Sequence, residues 1–307
     1  MNRLNSEIYK SLFTLVIPTR NRQLQLSTTL KAIYNSELRH LNCVICDDGS
    51  TDGTPEFIIN NYPEATLLQN RRSRGIHYTR NRLLDHVKTD FLLSLDDDAH
   101  FLTTDFLSQI LNEFKKNERC AILSFRAYWN LISPDETVHD VKIERVRSFG
   151  AVSFAMRMNV WPKIKPLPEW FDFYGEEDFI SIKLFKKGYH VIYFPDVLVH
   201  HRVDIKSRKK NKDYIQRTRK ALRSGWYLYL MFYPLKEIPR RMIYSIWMQM
   251  KLKLFKGDFR AFFGLMIAIF DLIFNLPRVL KNSDRLTPQE FNEYMQLADA
   301  KLYWNPC

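Results

Sequence analysis

The 307-residue sequence is poor in cysteine, glycine and proline, with four, nine and thirteen of each. Four cysteines in a chain of this length do not make a disulfide framework, so a reducing compartment is expected. The scarcity of glycine and proline excludes collagen-like and low-complexity chains, and an apolar fraction of 46% excludes a disordered one. Neither a Walker A sequence nor G-x-G-x-x-G occurs, which removes most support for P-loop NTPases and dinucleotide-binding dehydrogenases. The apolar stretch from Leu12 to Ile17 runs into Pro18 after six residues, too short for a secretory signal. Ala261–Leu276, 16 residues with Asp271 inside, falls short of the ~20 needed to span a bilayer. Cys43 and Cys46 have C-x-x-C spacing. In a strand, however, i and i+3 point to opposite faces, which suits buried small hydrophobes better than a zinc or redox pair.

Charge is plentiful but unevenly spread. The chain carries 46 Lys and Arg against 34 Asp and Glu, a net charge of +12. Residues 201–260 hold 17 basic against 4 acidic side chains, and the remainder is nearly balanced at 29 against 30. The first 200 residues alternate short apolar runs (Phe13–Ile17, Cys43–Cys46, Thr66–Leu68, Phe91–Leu95, Ala121–Phe125, Val191–Phe194) with helix-like stretches (Leu24–Tyr34, Pro55–Asn61, Thr79–His86, Phe106–Lys116, Phe179–Lys187). That alternation predicts an α/β fold with a mostly parallel sheet, both faces covered by helices. Polar clusters follow the strands at Thr19–Arg22, Asp47–Ser50 and Asp96–Asp98. Ligands bind beyond the carboxyl ends of strands in such sheets, so the three clusters point at one crevice.

Asp96-Asp97-Asp98 is the most informative of them. Carboxylates at i and i+2 beyond a strand end lie on the same side, so Asp96 and Asp98 are placed to share a hard divalent cation. Mg²⁺ takes one or two carboxylates together with substrate phosphate oxygens. An acidic turn or helix cap is the plain alternative, and a metal-dependent phosphoryl-transfer enzyme would use the same cluster. Glu176-Glu177-Asp178 is a second acidic run; adjacent carboxylates repel, which raises the pKa of at least one and suits a general base. A helix N-terminus also favours acidic residues, and the two readings are compatible.

Four ordered motifs, Val16–Arg22, Val44–Thr54, Thr79-Arg80-Asn81 leading into Phe91–Asp98, and Gly175–Asp178 followed by Lys187-Gly188-Tyr189 and Val199-His200-His201, resemble the family 2 glycosyltransferases. The resemblance covers about residues 10–203. It implies a GT-A fold and an inverting transfer from a nucleoside-diphosphate sugar, UDP- or dTDP-linked, to a hydroxyl of a glycan or lipid-linked glycan in surface polysaccharide synthesis. It further implies that Pro18, Thr19, Asn21 and Arg22 line the nucleotide pocket, with Asp48 or Asp47 accepting from the base and Arg80 and Asn81 near the diphosphate or base. Asp96 and Asp97 then face the nucleotide sugar, while Asp98, Asp96 and His200 (or its neighbour His201) hold Mg²⁺ or Mn²⁺. Trp170 and Glu176 border the acceptor. Counting six residues back from Lys183 puts the base at Glu177, with Asp178 the competing choice because the family has Glu-Asp where this chain has Glu-Glu-Asp. A non-catalytic sugar- or lipid-binding protein is the remaining alternative.

From about residue 204 the character changes. A basic run at 206–212 is followed by stretches dense in Trp, Tyr, Phe and Met. Nothing resembles a nucleic-acid recognition helix or an aromatic RNA motif, so nucleic acid is not an expected partner. Aromatic helices flanked by Lys and Arg fit an interfacial seat on anionic lipid. The expected organisation is a catalytic domain at 1–203 and a helical segment at 204–307. That segment is expected to rest on the inner face of the cell membrane from the cytoplasmic side, or to pack on the core or on a second copy of the chain.

Overall fold

The computed structural model describes residues 3–204 and 212–305. The basic run at 206–212 therefore lies, except for Lys212, outside the described residues. The first half runs α1 (Arg3–Leu12), β1 (Phe13–Thr19), α2 (Gln23–Tyr34), β2 (Asn42–Asp47), α3 (Thr54–Asn61), β3 (Thr66–Gln69), α4 (Ile76–His86) and β4 (Phe91–Leu95). It continues with β5 (Ala99–Phe101), α5 (Leu107–Lys116), β6 (Cys120–Trp129), β7 (Glu144–Val146), β8 (Ser153–Arg157), α6 (Trp161–Ile164), α7 (Glu176–Lys186) and β9 (His190–His201). The helices α8 (Tyr214–Phe232), α9 (Ile238–Leu252), α10 (Phe259–Lys281) and α11 (Pro288–Gln296) follow.

The nine strands of the described residues join one sheet in the order β3-β2-β1-β4-β8-β6-β9-β5, with β7 also on β9. The β3-β2-β1-β4 half and the β6–β9 pair are parallel. The sheet is nonetheless mixed: β8 runs antiparallel to β4 and β6, and β5 and β7 run antiparallel to β9. Those three strands are three to five residues long. So short a run carries little periodic signal, and they were not foreseen from the sequence.

Alternate residues of the strands feed two cores. Phe13, Leu15 and Ile17 of β1 meet Leu26 and Leu30 of α2 and Ile110 and Phe114 of α5 on one face. On the other face Val16 and Leu92 meet Leu83 and Leu84 of α4 and Phe179 and Ile180 of α7. Burial on both sides is why these strands read as unbroken apolar runs. The C-terminal helices join the second core, through Tyr227, Leu228 and Phe232 of α8, Val279 of α10, and Phe291 and Tyr294 of α11. Beyond α11 the chain returns to the sheet: Arg147 N donates to Ala298 O at 2.8 Å, and Trp304 N to Ala127 O at 2.8 Å.

Helix α10 is longer than the 16-residue run suggested, because Asp258 caps it by accepting from Ala261 N at 3.0 Å and the helix continues through Pro277 to Lys281. It has 23 residues, is strongly apolar and is mostly unburied along its apolar stretch. By length and composition it is therefore sufficient to cross a membrane. Ala261, Gly264, Leu265 and Ala268 are buried. A Cβ at Gly264 would lie 3.0 Å from both Ile215 O and Thr218 Cβ, so α8 and α10 meet there backbone to backbone. Phe259, Phe263, Phe270, Ile273 and Phe274 are left exposed.

Candidate active site

The three aspartates sit in the turn where β4 ends. Asp97 turns back to β1, accepting from Thr19 Oγ1 at 2.8 Å and Arg22 Nη1 at 2.9 Å. Asp96 and Asp98 contribute to a second cluster. Their carboxylate oxygens and a ring nitrogen of His201, from the end of β9, lie within 4.8 Å of one another. His201 Nε2 is 2.9 Å from Asp98 Oδ1, and Arg22 Nη1 is 2.8 Å from Asp98 Oδ2. Burial opposes ionisation of Asp98, but the hydrogen bond and charge of His201, with the charge of Arg22, outweigh it and hold the carboxyl below its ordinary range. Burial pushes Asp96 up to about 6 against the pull of Arg80, and Asp97 up to about 7 against that of Arg22. Two carboxylates and an imidazole brought together at the strand ends, with Asp98 and His201 buried, are a donor set that fits a divalent cation.

The sequence reading had favoured His200 for this cluster. Neighbouring strand residues point to opposite faces, and His200 is turned away, its Nε2 donating to Asn130 O at 2.8 Å and its Nδ1 lying 3.4 Å from Ser133 Oγ. Of the two histidines, it is His201 that stands in the cluster with Asp96 and Asp98.

A second set of groups approaches from α4 and α7. Arg80 is buried; its Nη2 donates to Asp96 Oδ1 at 3.1 Å and its Nε is 3.8 Å from Glu176 Oε1. Glu176, buried at the N-terminus of α7, also lies 3.7 Å from His77 Nε2. His77 was missed in the sequence, although it precedes Arg80 by three residues and so shares its helix face. Glu177 is half-buried, and burial together with the neighbouring Glu176 lifts its pKa well above the usual carboxylate value. Asp178 has its charge eased by a hydrogen bond from Ser148 and by the charge of Arg147, though burial raises its pKa.

On the nucleotide side, Pro18 pairs with Cys46 in the β1–β2 register, and Asn21 closes the turn after β1 by accepting from Thr51 N at 2.7 Å. Asp48 accepts from Asn70 Nδ2 (2.8 Å), Ser73 Oγ (2.7 Å), Arg74 N (2.9 Å) and Gly75 N (3.0 Å). Four donors exhaust a carboxylate, so Asp48 is the hub of the 70–75 loop and has no acceptor left for a base. Gly49 permits this loop to close: a Cβ there would meet Arg72 C and Ser73 N at 2.7 Å, at a φ of 70°. Asp47 is the carboxylate with capacity to spare. It accepts from Ser50 N at 3.0 Å, while its buried Oδ1 has no hydrogen-bond partner.

Two expected residues are engaged in packing. Asn81 exchanges both amide hydrogen bonds with Leu167, donating to its O at 3.0 Å and accepting from its N at 2.9 Å. Trp170 is half-buried against Phe171 and Tyr227, with ring centroids at 4.8 and 5.1 Å, and the Arg278 guanidinium lies 5.6 Å over its ring. It is part of the contact with the C-terminal helices and also lines an open cavity with Glu169, Lys183 and Arg278.

The mixed sheet flanked by helices has the GT-A fold of the nucleotide-diphospho-sugar transferases. Two solved structures share it: the mannosyltransferase PcManGT of Pyrobaculum calidifontis in complex with GDP-Man and Mn²⁺ (TM-score 0.54, 19% identity, 71% of this chain and 63% of that one), and GalNAc-T7 with UDP, GalNAc and Mn²⁺ (TM-score 0.58, 14% identity, 74% and 49%). Residues 14–160, nearly half of the chain, match the family model described as Glycosyl transferase family 2, and that part of the chain is of this family. It is 29% identical over 94 residues to the GalNAc(5)-diNAcBac-PP-undecaprenol beta-1,3-glucosyltransferase of Campylobacter jejuni, covering 29% of this chain and 30% of that protein. It is 27% identical over 120 residues to the UDP-Glc:alpha-D-GlcNAc-diphosphoundecaprenol beta-1,3-glucosyltransferase WfaP of Escherichia coli, covering 38% and 46%. The matches thus span less than half the length of these relatives.

Proposed function

We propose that the protein is an inverting, metal-dependent glycosyltransferase that moves one sugar from a UDP- or dTDP-linked donor to a hydroxyl of a lipid-linked glycan. The observation that carries this reading is the Asp96–Asp98–His201 cluster, joined through Arg80 to the acidic N-terminus of α7. Asp98, Asp96 and His201 would hold Mn²⁺ or Mg²⁺. A divalent cation there supplies neutralisation of the charge that develops on the departing diphosphate. Asp47 Oδ1 is the acceptor offered to the nucleobase, and Arg22 and Arg80 are the cations nearest the diphosphate. Glu177 takes the proton of the acceptor hydroxyl as its oxygen bonds to the anomeric carbon. The bond from that carbon to the diphosphate oxygen breaks, and the nucleoside diphosphate leaves with the electron pair. Glu177 is preferred over Asp178 because it lies on the Arg80 side of α7.

The acceptor class is supported by the names of the two curated relatives, which act on diphosphoundecaprenol-linked glycans. Such an acceptor places the enzyme at the membrane. The exposed aromatic face of α10, together with Trp247 and Phe255, suits an interfacial seat reached from the cytoplasm. A panel of nucleotide sugars with Mn²⁺ and a diphosphoprenyl-linked sugar tests the reading through release of nucleoside diphosphate, which Asp98→Asn should abolish. Donor binding without turnover would leave a sugar-binding protein, and absence of both would sink the transferase reading.

A further inference from the structure

The residues leading into α7 adopt a conformation that needs outside support. Phe173 N donates to Phe171 O at 2.8 Å across Asp172, whose φ of 68° and ψ of −49° define a γ-turn of the rare, strained form. Tyr174 follows at a φ of 66° and Gly175 at 90°. A non-glycine residue persists in this region only where its surroundings enforce it. Two residues beyond Gly175 stands Glu177.

The enforcement comes from one face of α8. Arg223 Nη2 donates to Phe171 O, the carbonyl at the heart of the γ-turn. Ser224 Oγ donates to Phe173 O at 2.9 Å, and Lys220 Nζ pairs with Asp172 Oδ2 at 2.6 Å. Gly175 lies directly on α8, where a Cβ would be 3.3 Å from both Leu228 Cδ1 and Ser224 Cβ. Arg223 is itself anchored. Asp271, the lone charge within the apolar 261–276 stretch of α10, holds Arg219 in a two-pronged pair at 2.6 and 2.8 Å and reaches Arg223 Nη1 at 3.3 Å. A carboxylate in so apolar a helix is explained by what it grips on α8.

We propose that Arg223, braced by Asp271, is a positioning residue for sugar transfer: it holds the 171–175 turn, and through it the first turn of α7, so that Glu177 meets the acceptor hydroxyl. This rests on the reading of Glu177 as the base. Misplacing a reacting group by about an ångström costs on the order of 10²-fold in rate. Arg223→Gln is therefore expected to lower kcat by about that factor while leaving the donor Kd with Mn²⁺ within about twofold, since the bonds of Arg223 go to Phe171 and Asp271.

The experiment measures kcat, donor Kd and amide hydrogen exchange of 171–177 in the full chain for Arg223→Gln, Arg223→Lys and Asp271→Asn. Faster exchange in 171–177, a selective fall in kcat, and partial recovery in Arg223→Lys are expected. Asp271→Asn should move the same two readouts by less, because Arg223 keeps its bond to Phe171. Unchanged exchange and kcat in Arg223→Gln overturn the proposal, as does an equal loss of kcat and donor binding, which marks a general structural role. If wild-type protein transfers no sugar, or Glu177→Gln retains kcat, the catalytic reading fails, whereas the exchange measurement still decides whether Arg223 holds the turn.

Discussion

The proposed membrane seat makes the sharpest quantitative prediction. Phe270 and Phe274 are four residues apart on α10 and 55% and 81% exposed, whereas Ala261, Gly264, Leu265 and Ala268 are buried. Replacing both phenylalanines by serine therefore leaves that packing intact and removes apolar surface that only a lipid or a partner would cover. Full burial of a Phe is worth about 1.5–3 kcal/mol; weighted by the exposure of each ring, the pair contributes roughly 3 kcal/mol, or about 100-fold in partitioning. Each Lys or Arg near an anionic surface adds about 1 kcal/mol, screened by salt. The assay is co-sedimentation with phosphatidylcholine vesicles, with and without phosphatidylglycerol, at low and high salt. Wild type should pellet with the anionic vesicles, less so in high salt, and the double variant should stay largely in the supernatant with an unchanged melting temperature. Equal pelleting of variant and wild type would refute the reasoning, as would wild type remaining soluble. In the second case, self-association lost in the same variant would assign the face to a second copy of the chain.

Three further outcomes are expected. His201→Ala should weaken Mn²⁺ binding by at least about 10-fold, read by titration of the protein with Mn²⁺, whereas His200→Ala should not; the reverse order would restore the choice the sequence favoured. Glu177→Gln should lower kcat by about 10²–10⁴-fold with donor binding retained. Because only the ionised carboxylate accepts a proton and burial with Glu176 raises its pKa, kcat should climb as pH rises through a value above the ordinary ~4.3 of glutamate; a rate that falls over that range contradicts the assignment. Gly49→Ala forces a Cβ into the Arg72–Ser73 backbone at positive φ and should cost about 2–5 kcal/mol in denaturant unfolding; a change under about 0.5 kcal/mol would show that the loop yields.

What could be read in the sequence was what local pattern encodes. The βαβ half was legible because strands buried on both faces stay apolar while α2 and α5 keep an apolar stripe. Asp96 and Asp98 were legible because i and i+2 share a side wherever a strand ends. The choice between His200 and His201 was not, since it depends on the phase of β9, and the β6–β9 register shifts where Phe125 gives way to Arg126. Asp48 looked like a ligand residue; its four donors come from residues 70–75, and no spacing rule connects them. Trp170 and Asn81 likewise carried the right chemistry. Their partners, Tyr227 and Arg278 in one case and Leu167 in the other, are fixed by how distant segments dock. His77 is the exception that local pattern could have supplied.

The return of the chain to the sheet after α11 bears on the order of assembly. Trp129 at the end of β6 packs against His201 at 4.2 Å and against Tyr303 at 4.7 Å, so a contact distant in sequence stands one ring away from the candidate metal ligand. Contacts between segments so far apart close late, because loop-closure entropy has to be overcome first. A molecule with its sheet formed and this strand of tail still loose would hold Asp96 and Asp98 correctly and yet leave the His201 side unwalled. Competence of the site is in that sense tied to completion of folding: a protein nicked between α11 and Trp304 should keep its secondary structure and lose the wall behind its histidine.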